Sequence, residues 1–503
     1  MSIFCVAVDE PFAEAVAWRL HELHLLAGLS SYDAGMLQGL SPPPPVVVAR
    51  RLFRVDDLPL AFPGVTPVPP SRATIRALAE AERGFMEMSD RFLFAPKPVG
   101  MRMRLYHELI AWLDGFLTAR PDITTLYFPS TPHHGWDLVL YHLARLRGRL
   151  TLSLHRTTIA DRVYLADDFR EPPRPAALPS LADAQGALGP ELLAQIESVS
   201  DWVRLSIAKN KDALGAGRSA KAIVKALRDE AWWLKKRIRH APDSADRFIN
   251  AFAGEGALGP AEVWRRKMGF QADIRALRRR YEALARPLDP GRPYVYFALQ
   301  YQPERTSQPE GLEFADQVHV AQLLARALPD DWTLAIKEHP RQLGVTPPAM
   351  HRRHARGPAD YEALAALPNV RLLPLEAPTE ALIDGARACA TLTGTVGWEA
   401  LLQGVPALVF GAAWYGCCTA VAQVGSVEDI RAALASFEGR GRDEIRADMI
   451  RFVAGLLPDL IVSSNDHRFA TKSSIAYERL VATLADAIAA RANEAGASGA
   501  AVV

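Results

Sequence analysis

Four cysteines in 503 residues, Cys5, Cys389, Cys417 and Cys418, are too few and too scattered for a disulfide framework, and none has the paired spacing of a zinc site. The sequence is equally short of charge imbalance. Its 58 basic and 57 acidic side chains create no basic field of the kind that nucleic-acid binding usually requires, so an anionic ligand must be met by a local pocket. No stretch reaches the roughly 18 consecutive apolar residues of a membrane helix. The opening MSIFCVAVDEPF lacks the basic flank and long apolar run of a signal peptide. The expectation is a reduced, cytoplasmic protein without zinc, in which the adjacent Cys417 and Cys418 have no assigned role.

What is present is a globular composition, 49% hydrophobic, in a chain long enough for two or three domains. Apolar runs at Ile3–Val8, Pro45–Phe53, Thr124–Ser130 and Leu150–His155 alternate with helical patterns at Ser71–Met88 and Met101–Thr118, as in an open α/β sheet. From about Pro190 to Ala285 the pattern is nearly continuous helix, carrying basic rows at Lys235–Arg239 and Arg278–Arg280. These rows suit phosphate or an anionic membrane, but isolated clusters on helices are more often solvated faces.

After Asp289-Pro-Gly-Arg-Pro293 the alternation resumes. Strands are expected at Tyr294–Gln300, Trp332–His339, Val370–Pro374, Cys389–Gly394 and Pro406–Gly411. Helices are expected between them at Phe314–Leu328, Tyr361–Leu367, Pro378–Ala386 and Val396–Gln403. Such a succession is a doubly wound parallel sheet, whose ligands bind beyond the carboxyl ends of the strands. The organisation expected is therefore 1–185, an acceptor domain; 186–289, a helical insertion or bridge; 290–465, a donor domain; and 466–503, a helix and disordered tail.

Three polar motifs fall at strand ends of the second sheet. Lys337-Glu338-His339-Pro340 offers a cation and an imidazole to a phosphate, with proline fixing the exit of the chain. Thr393-Gly-Thr-Val-Gly-Trp-Glu399 joins a strand to a helix, so Thr393, Gly394 and Thr395 lie at a helix N-terminus suited to an anion, with Glu399 placed for ribose hydroxyls. A plain capping box between Thr395 and Glu399 is the competing reading. Tyr301-Gln-Pro-Glu-Arg-Thr306 makes a polar loop in which Gln302, Glu304 and Arg305 are candidates for donor or acceptor contacts, a structural salt link being the alternative.

In the first half, Phe128-Pro-Ser-Thr-Pro-His133-His134-Gly-Trp-Asp137 follows a strand. Two histidines and a carboxylate can act as general base or nucleophile on a sugar, although Asp137 can equally be a helix cap. His-His-x-x-Asp in a loop is not a recognised metal spacing. His155-Arg156-Thr157-Thr158 and Asp161 follow the next strand toward the same cleft.

The runs YQPERTSQPEG, KEHPRQ and LTGTVGWEALLQGVPALVFGAAWYG resemble the capsule and surface polysaccharide biosynthesis family of bacterial glycosyltransferases, related to enzymes that use CMP-activated Kdo or sialic acid. The resemblance covers about Tyr294–Gly416 and is weaker around Phe128–Asp161. It implies a GT-B architecture of two facing Rossmann-like domains, with the donor in the second. It also implies that His339-Pro340 contacts CMP and that Thr393 and Thr395 hold its phosphate. The related sialyltransferases' paired acids followed by glycine have no counterpart here, which leaves Asp137, His134, His133 and Glu304 as catalytic candidates.

The expected activity is transfer of a sugar such as Kdo or a nonulosonic acid from a CMP donor to a surface glycan, lipid-linked or protein acceptor. It would need no metal and no cofactor beyond the nucleotide sugar. The partners are the nucleotide sugar and the acceptor, not nucleic acid, with a peripheral position at the inner membrane face left open. A UDP-sugar transferase or epimerase, and a non-catalytic nucleotide-binding subunit of an assembly complex, are the alternatives.

Overall fold

The computed structural model describes residues 2–37, 39–89, 98–197, 228, 260–344 and 356–497. Within them the chain builds two sheets of the same winding order. The first contains β1 (Ser2–Cys5), β2 (Leu26–Ser31), β3 (Val46–Val48), β4 (Ile123–Phe128), β5 (Leu150–Arg156) and β6 (Arg162–Ala166), arranged 3-2-1-4-5-6. Strands one to five are parallel and β6 runs antiparallel to β5. Covering helices include α1 (Pro11–Glu22), α2 (Ala79–Met88), α3 (Val99–Ala119) and α4 (Trp136–Leu146). Helix α1 starts where Pro11 takes the first helical position and the Glu10 carboxylate accepts from the Ala13 amide at 2.6 Å.

Two helices follow, α5 (Leu181–Glu197) and α6 (Pro260–Leu284). Gly189 at φ 68°, followed by Pro190, breaks the helical path of α5. The stretch from 198 to 259, with the expected basic row Lys235–Arg239, lies outside the described residues apart from Arg228. The second basic row is on α6 and is largely neutralised by acids, with Arg278 bonded to Glu282 at 2.7 Å and Arg280 to Glu362 at 2.8 Å.

The second sheet contains β7 (Tyr294–Ala298), β8 (Thr333–Lys337), β9 (Val370–Leu372), β10 (Ala388–Thr391), β11 (Ala407–Val409) and β12 (Val421–Gln423), all parallel, in the spatial order β9-β8-β7-β10-β11-β12. Its helices are α7 (Gln317–Ala327), α8 (Pro358–Ala365), α9 (Thr379–Asp384), α10 (Thr395–Leu402), α11 (Val427–Phe437) and α12 (Arg442–Leu456). The near-continuous apolar strands YVYFA and TLAIK are buried because helices cover both faces. The fold class expected from the sequence is thus present: two Rossmann-like α/β units, with α5 and α6 between their sheets along the chain. Helix α6 nevertheless packs into the second unit, where Tyr281 is part of its core.

The chain then returns to the first unit. Strand β13 (Ile461–Val462) pairs antiparallel with β6, and helix α13 (Tyr477–Ala497) packs on α1 and shares its core. Two expectations change as a result. The donor domain ends before 465, because Ile461 is already a strand of the first sheet. Asn493–Ala497, expected in a disordered tail, continue α13, whose apolar face buries Ile488 and Ala492. A further core joins the units, combining Ile159 and Tyr164 of the first with Trp398, Trp414 and Tyr415 of the second.

Candidate active site

In each sheet the winding reverses between the first and fourth strands, and beyond their carboxyl ends such a reversal leaves a crevice in doubly wound sheets. In the second sheet these ends are Ala298 and Thr391. Helix α10 begins at the crevice with Gly394 as N-cap and no side chain capping it, which leaves backbone N–H groups to meet an anion. Gly397 is required there, because the Tyr415 hydroxyl occupies the place of a Cβ and donates to the Gly394 carbonyl.

The capping box, the competing reading of this motif, is absent. The Thr395 hydroxyl bonds one turn along the helix to Glu399 Oε1 at 2.9 Å. Burial raises the Glu399 pKa, opposed by Thr395 and by the nearby Lys337 ammonium. Lys337 is buried, donates to the Ala377 carbonyl at 2.8 Å and to Thr379 Oγ1 at 2.6 Å, and has its pKa lowered to about 8 by that burial. Its ammonium is thereby tied to the segment leading into α9, near enough to Glu399 to oppose the burial of that carboxyl. Thr393 is tied into the framework: its Oγ1 donates to the Thr306 carbonyl at 2.7 Å, and its amide donates to Gln300 Oε1 at 3.1 Å.

His339 and Pro340 are half-buried at the rim. The His339 ring packs against Tyr301 with centroids 5.7 Å apart, and the Arg341 guanidinium lies 4.8 Å from the Tyr301 centroid. The Arg341 amide donates to His339 Nδ1 at 3.2 Å, so the proton of the neutral ring is assigned to Nε2.

Behind this rim lies a buried network that sequence reasoning missed. Glu338 accepts from Arg356 Nε at 2.6 Å and Nη2 at 2.8 Å, from Tyr361 at 2.6 Å and from the His339 amide at 2.6 Å. Burial opposes the Arg356 charge, yet Glu338 and Tyr361 hold its pKa above the ordinary value. Gln302, expected to bind the donor, belongs to this network instead. Its Oε1 accepts from Arg356 at 2.6 Å and Gln317 at 2.8 Å while its Nε2 donates to the Ala315 carbonyl, so its amide is committed to the framework. Glu304 is exposed, 3.5 Å from the Thr306 hydroxyl, and Arg305 pairs with Glu310 at 3.0 Å.

In the first sheet the reversal lies between β1 and β4, and the His133–Asp137 loop follows β4. Asp137 is buried and accepts from the amides of His133 (3.0 Å), His134 (2.8 Å) and Leu138 (2.8 Å), as well as from His134 Nδ1 at 2.9 Å. Burial raises the Asp137 pKa, but the two histidines and these donors hold it below the ordinary value, so the carboxylate stays ionised with both oxygens hydrogen-bonded as a cap. What remains is an Asp–His pair in which Asp137 orients His134. His133 Nδ1 lies 2.7 Å from the Thr131 carbonyl. Ligand atoms of His133, His134 and Asp137 fall within 4.8 Å of one another, close enough to hold a metal ion, which would take the place of the His134 Nδ1–Asp137 contact.

Sequence reasoning also missed Asp9, just past β1, which accepts from the Tyr32 amide at 2.8 Å and Ser31 Oγ at 3.1 Å. Its side chain is exposed beyond the carboxyl end of β1. Surrounding protein still raises its pKa against the lowering effects of Tyr32 and His134. The signal available was an acid at the end of the first strand of a doubly wound sheet.

The crevice motifs of the second unit fall within one stretch. Residues 281–429 match the capsule polysaccharide biosynthesis protein family. That family match contains His339, Pro340, Thr393, Gly394, Thr395 and Glu399, and stops short of the His133–Asp137 loop. No curated protein matches the chain. Among solved structures, it is similar to the beta Kdo 2,7 transferase KpsC of Thermosulfurimonas dismutans, at 12% identity and TM-score 0.30 over 83% of this chain and 97% of that one. It is also similar to the α,α-trehalose 6-phosphate synthase of Burkholderia multivorans, at 12% identity and TM-score 0.30 over 99% and 97%. For the UDP-GlcNAc 2-epimerase of Methanocaldococcus jannaschii the values are 10% and 0.25, over 90% and 99%. Among the described residues no helix is long and apolar enough to cross a membrane.

Proposed function

We propose that this chain is a metal-independent glycosyltransferase of capsule or surface polysaccharide synthesis. It moves an acidic keto sugar, of the Kdo or nonulosonic type, from a CMP donor in the second domain to a glycan, lipid-linked or protein acceptor in the first. The observation that carries the reading is the uncapped start of α10 at the winding reversal of the second sheet, within the stretch that matches the family. Its amides receive the CMP phosphate, Lys337 adds positive potential, and Glu399 takes the ribose hydroxyls. His339 closes the nucleotide side of the pocket.

His134 is the general base, with Asp137 holding Nδ1 and stabilising the imidazolium. In the transfer, the acceptor hydroxyl gives its proton to His134 Nε2 as its oxygen bonds the anomeric carbon. The bond from that carbon to the phosphate oxygen breaks, and CMP leaves with the electron pair. Calorimetric titration of CMP, UDP and GDP against the wild type and His339→Ala tests the donor. CMP is expected to bind most tightly and to weaken in the variant; preference for UDP, or unchanged CMP binding in the variant, would refute the assignment.

A further inference from the structure

A donor-domain carboxylate is buried in the wall of the acceptor domain. Glu310 is 5% exposed, and its Oε1 accepts from Thr131 Oγ1 at 2.5 Å and from Arg305 Nε at 3.0 Å. Thr131 is fully buried and directly precedes the His133–Asp137 loop. Its carbonyl lies 2.7 Å from His133 Nδ1. One threonine thus bonds to the donor domain through its side chain and to a loop imidazole through its backbone.

The other side of Glu310 is fixed as firmly. The Ala412 amide donates to its carbonyl at 2.9 Å, and Gly411 has no room for a Cβ against that same carbonyl. Four residues earlier, the Thr306 carbonyl accepts from Thr393 Oγ1, the first threonine of the phosphate loop. Residues 306–310 therefore span from the phosphate loop of one domain to the imidazole loop of the other.

We infer that Glu310 is a positioning residue that sets the His133 imidazole from the second unit, through Thr131, and, through the contact of that ring with His134 at 4.3 Å between centroids, couples the donor loop to the acceptor-side base. The inference rests on the proposed transferase reading for its kinetic arm only. A carboxylate removed from water needs directed partners, and Glu310 has two, Thr131 from the first unit and Arg305 from its own. A third group nearby does not supply a counter-charge. His155, stacked on Tyr164 at 5.1 Å, faces Glu310 and Arg305, but burial pushes its pKa down to about 4 and leaves it neutral, with Nε2 unpartnered. Arg305 and Thr131 are then the groups that hold Glu310. With Nδ1–H of His133 donating to the Thr131 carbonyl, a displaced Thr131 changes both the tautomer and the orientation of that ring.

The test uses the full chain with Glu310→Gln, Thr131→Val and Thr131→Ser. Three quantities are read: CMP affinity by calorimetry, kcat for transfer, and the imidazole ¹⁵N signals of His133 and His134, assigned with His133→Asn. Glu310→Gln and Thr131→Val are expected to lower kcat about a hundredfold, the scale of a displacement of about 1 Å in a reacting group, while CMP affinity changes by less than about twofold. Both should move His133 away from the Nδ1–H tautomer. Thr131→Ser keeps the hydroxyl and should restore rate and signals together. An unchanged kcat in Thr131→Val, a CMP affinity that falls in step with kcat, or unmoved imidazole signals would overturn the inference. If the wild type neither binds CMP nor transfers sugar, the transferase reading fails, and the imidazole signals of the same variants still decide whether Glu310 sets the loop.

Discussion

The Glu338–Arg356 pair makes the most direct energetic prediction. Glu338 is fully buried and Arg356 is 5% exposed, so neither charge is compensated by water once its partner is removed. One bidentate interaction, with bonds of 2.6 and 2.8 Å, joins them, and Tyr361 and the His339 amide fill the remaining acceptor positions of the carboxylate. Replacing Glu338 by leucine strands a guanidinium in the interior, which costs about 3–5 kcal/mol. At about 2–4 °C per kcal/mol for a domain of this size, the transition of the second domain should fall by about 10 °C in a calorimetric scan. The double change Glu338→Leu with Arg356→Met removes both charges and should recover most of the loss, because the pair's attraction largely offsets its own desolvation. The carboxylate also orients the His339 amide, so nucleotide affinity should fall in the single variant even below its transition. A shift under about 2 °C for Glu338→Leu, or a double variant no more stable than the single, would refute this account of the network.

Asp137→Asn should preserve the cap to the His133 and His134 amides in part but lose the charge that stabilises the His134 imidazolium. Transfer should slow by about 10²–10⁴-fold with CMP affinity retained, and steady-state kinetics beside calorimetry would show the split. Lys337 titrates near pH 8 in the folded protein against about 10.5 when exposed, so the unfolded chain binds more protons between these values and stability should rise with pH there. Relative to Lys337→Met, the gain should approach about 3 kcal/mol by pH 10.5, measured by denaturant unfolding across that window. Over the same window the ammonium is lost, and phosphate affinity should fall above pH 8. Gly397→Ala places a methyl where the Tyr415 hydroxyl sits; about 1–3 kcal/mol of destabilisation and weaker CMP binding are expected from thermal scans and titration.

Much of the second domain was readable in its sequence because apolar strands such as Tyr294–Ala298 and Thr333–Lys337 are bounded by polar ends, and helix periods separate them. The crevice loops followed from that order alone. The first domain was harder. Strand β2 is LAGLSS, short and small in side chain, and strand β13 has only Ile461 and Val462, so both depend on their neighbours in the sheet more than on their own composition. The roles of polar side chains were less accessible still. Gln302 was expected in the pocket, but Arg356, 54 positions away, claims its amide; Asp137 was a candidate to react or to cap, and backbone amides of its own loop bond to it. A sequence gives the residues of a network without their partners, and partners decide whether a carboxylate is a cap, a counter-ion or a nucleophile.

The return of β13 and α13 to the first sheet sets an order of assembly during synthesis. The second unit is drawn from a continuous stretch, α6 through α12, and has all of its strands once Gln423 has emerged. The first unit begins earlier but must wait for Ile461–Val462 to cover the edge of β6 and for α13 to cover α1. The nascent chain therefore holds an incomplete first unit beside a second unit with all its strands, with the exposed edge of β6 and the uncovered face of α1 as its vulnerable surfaces until β13 and α13 dock.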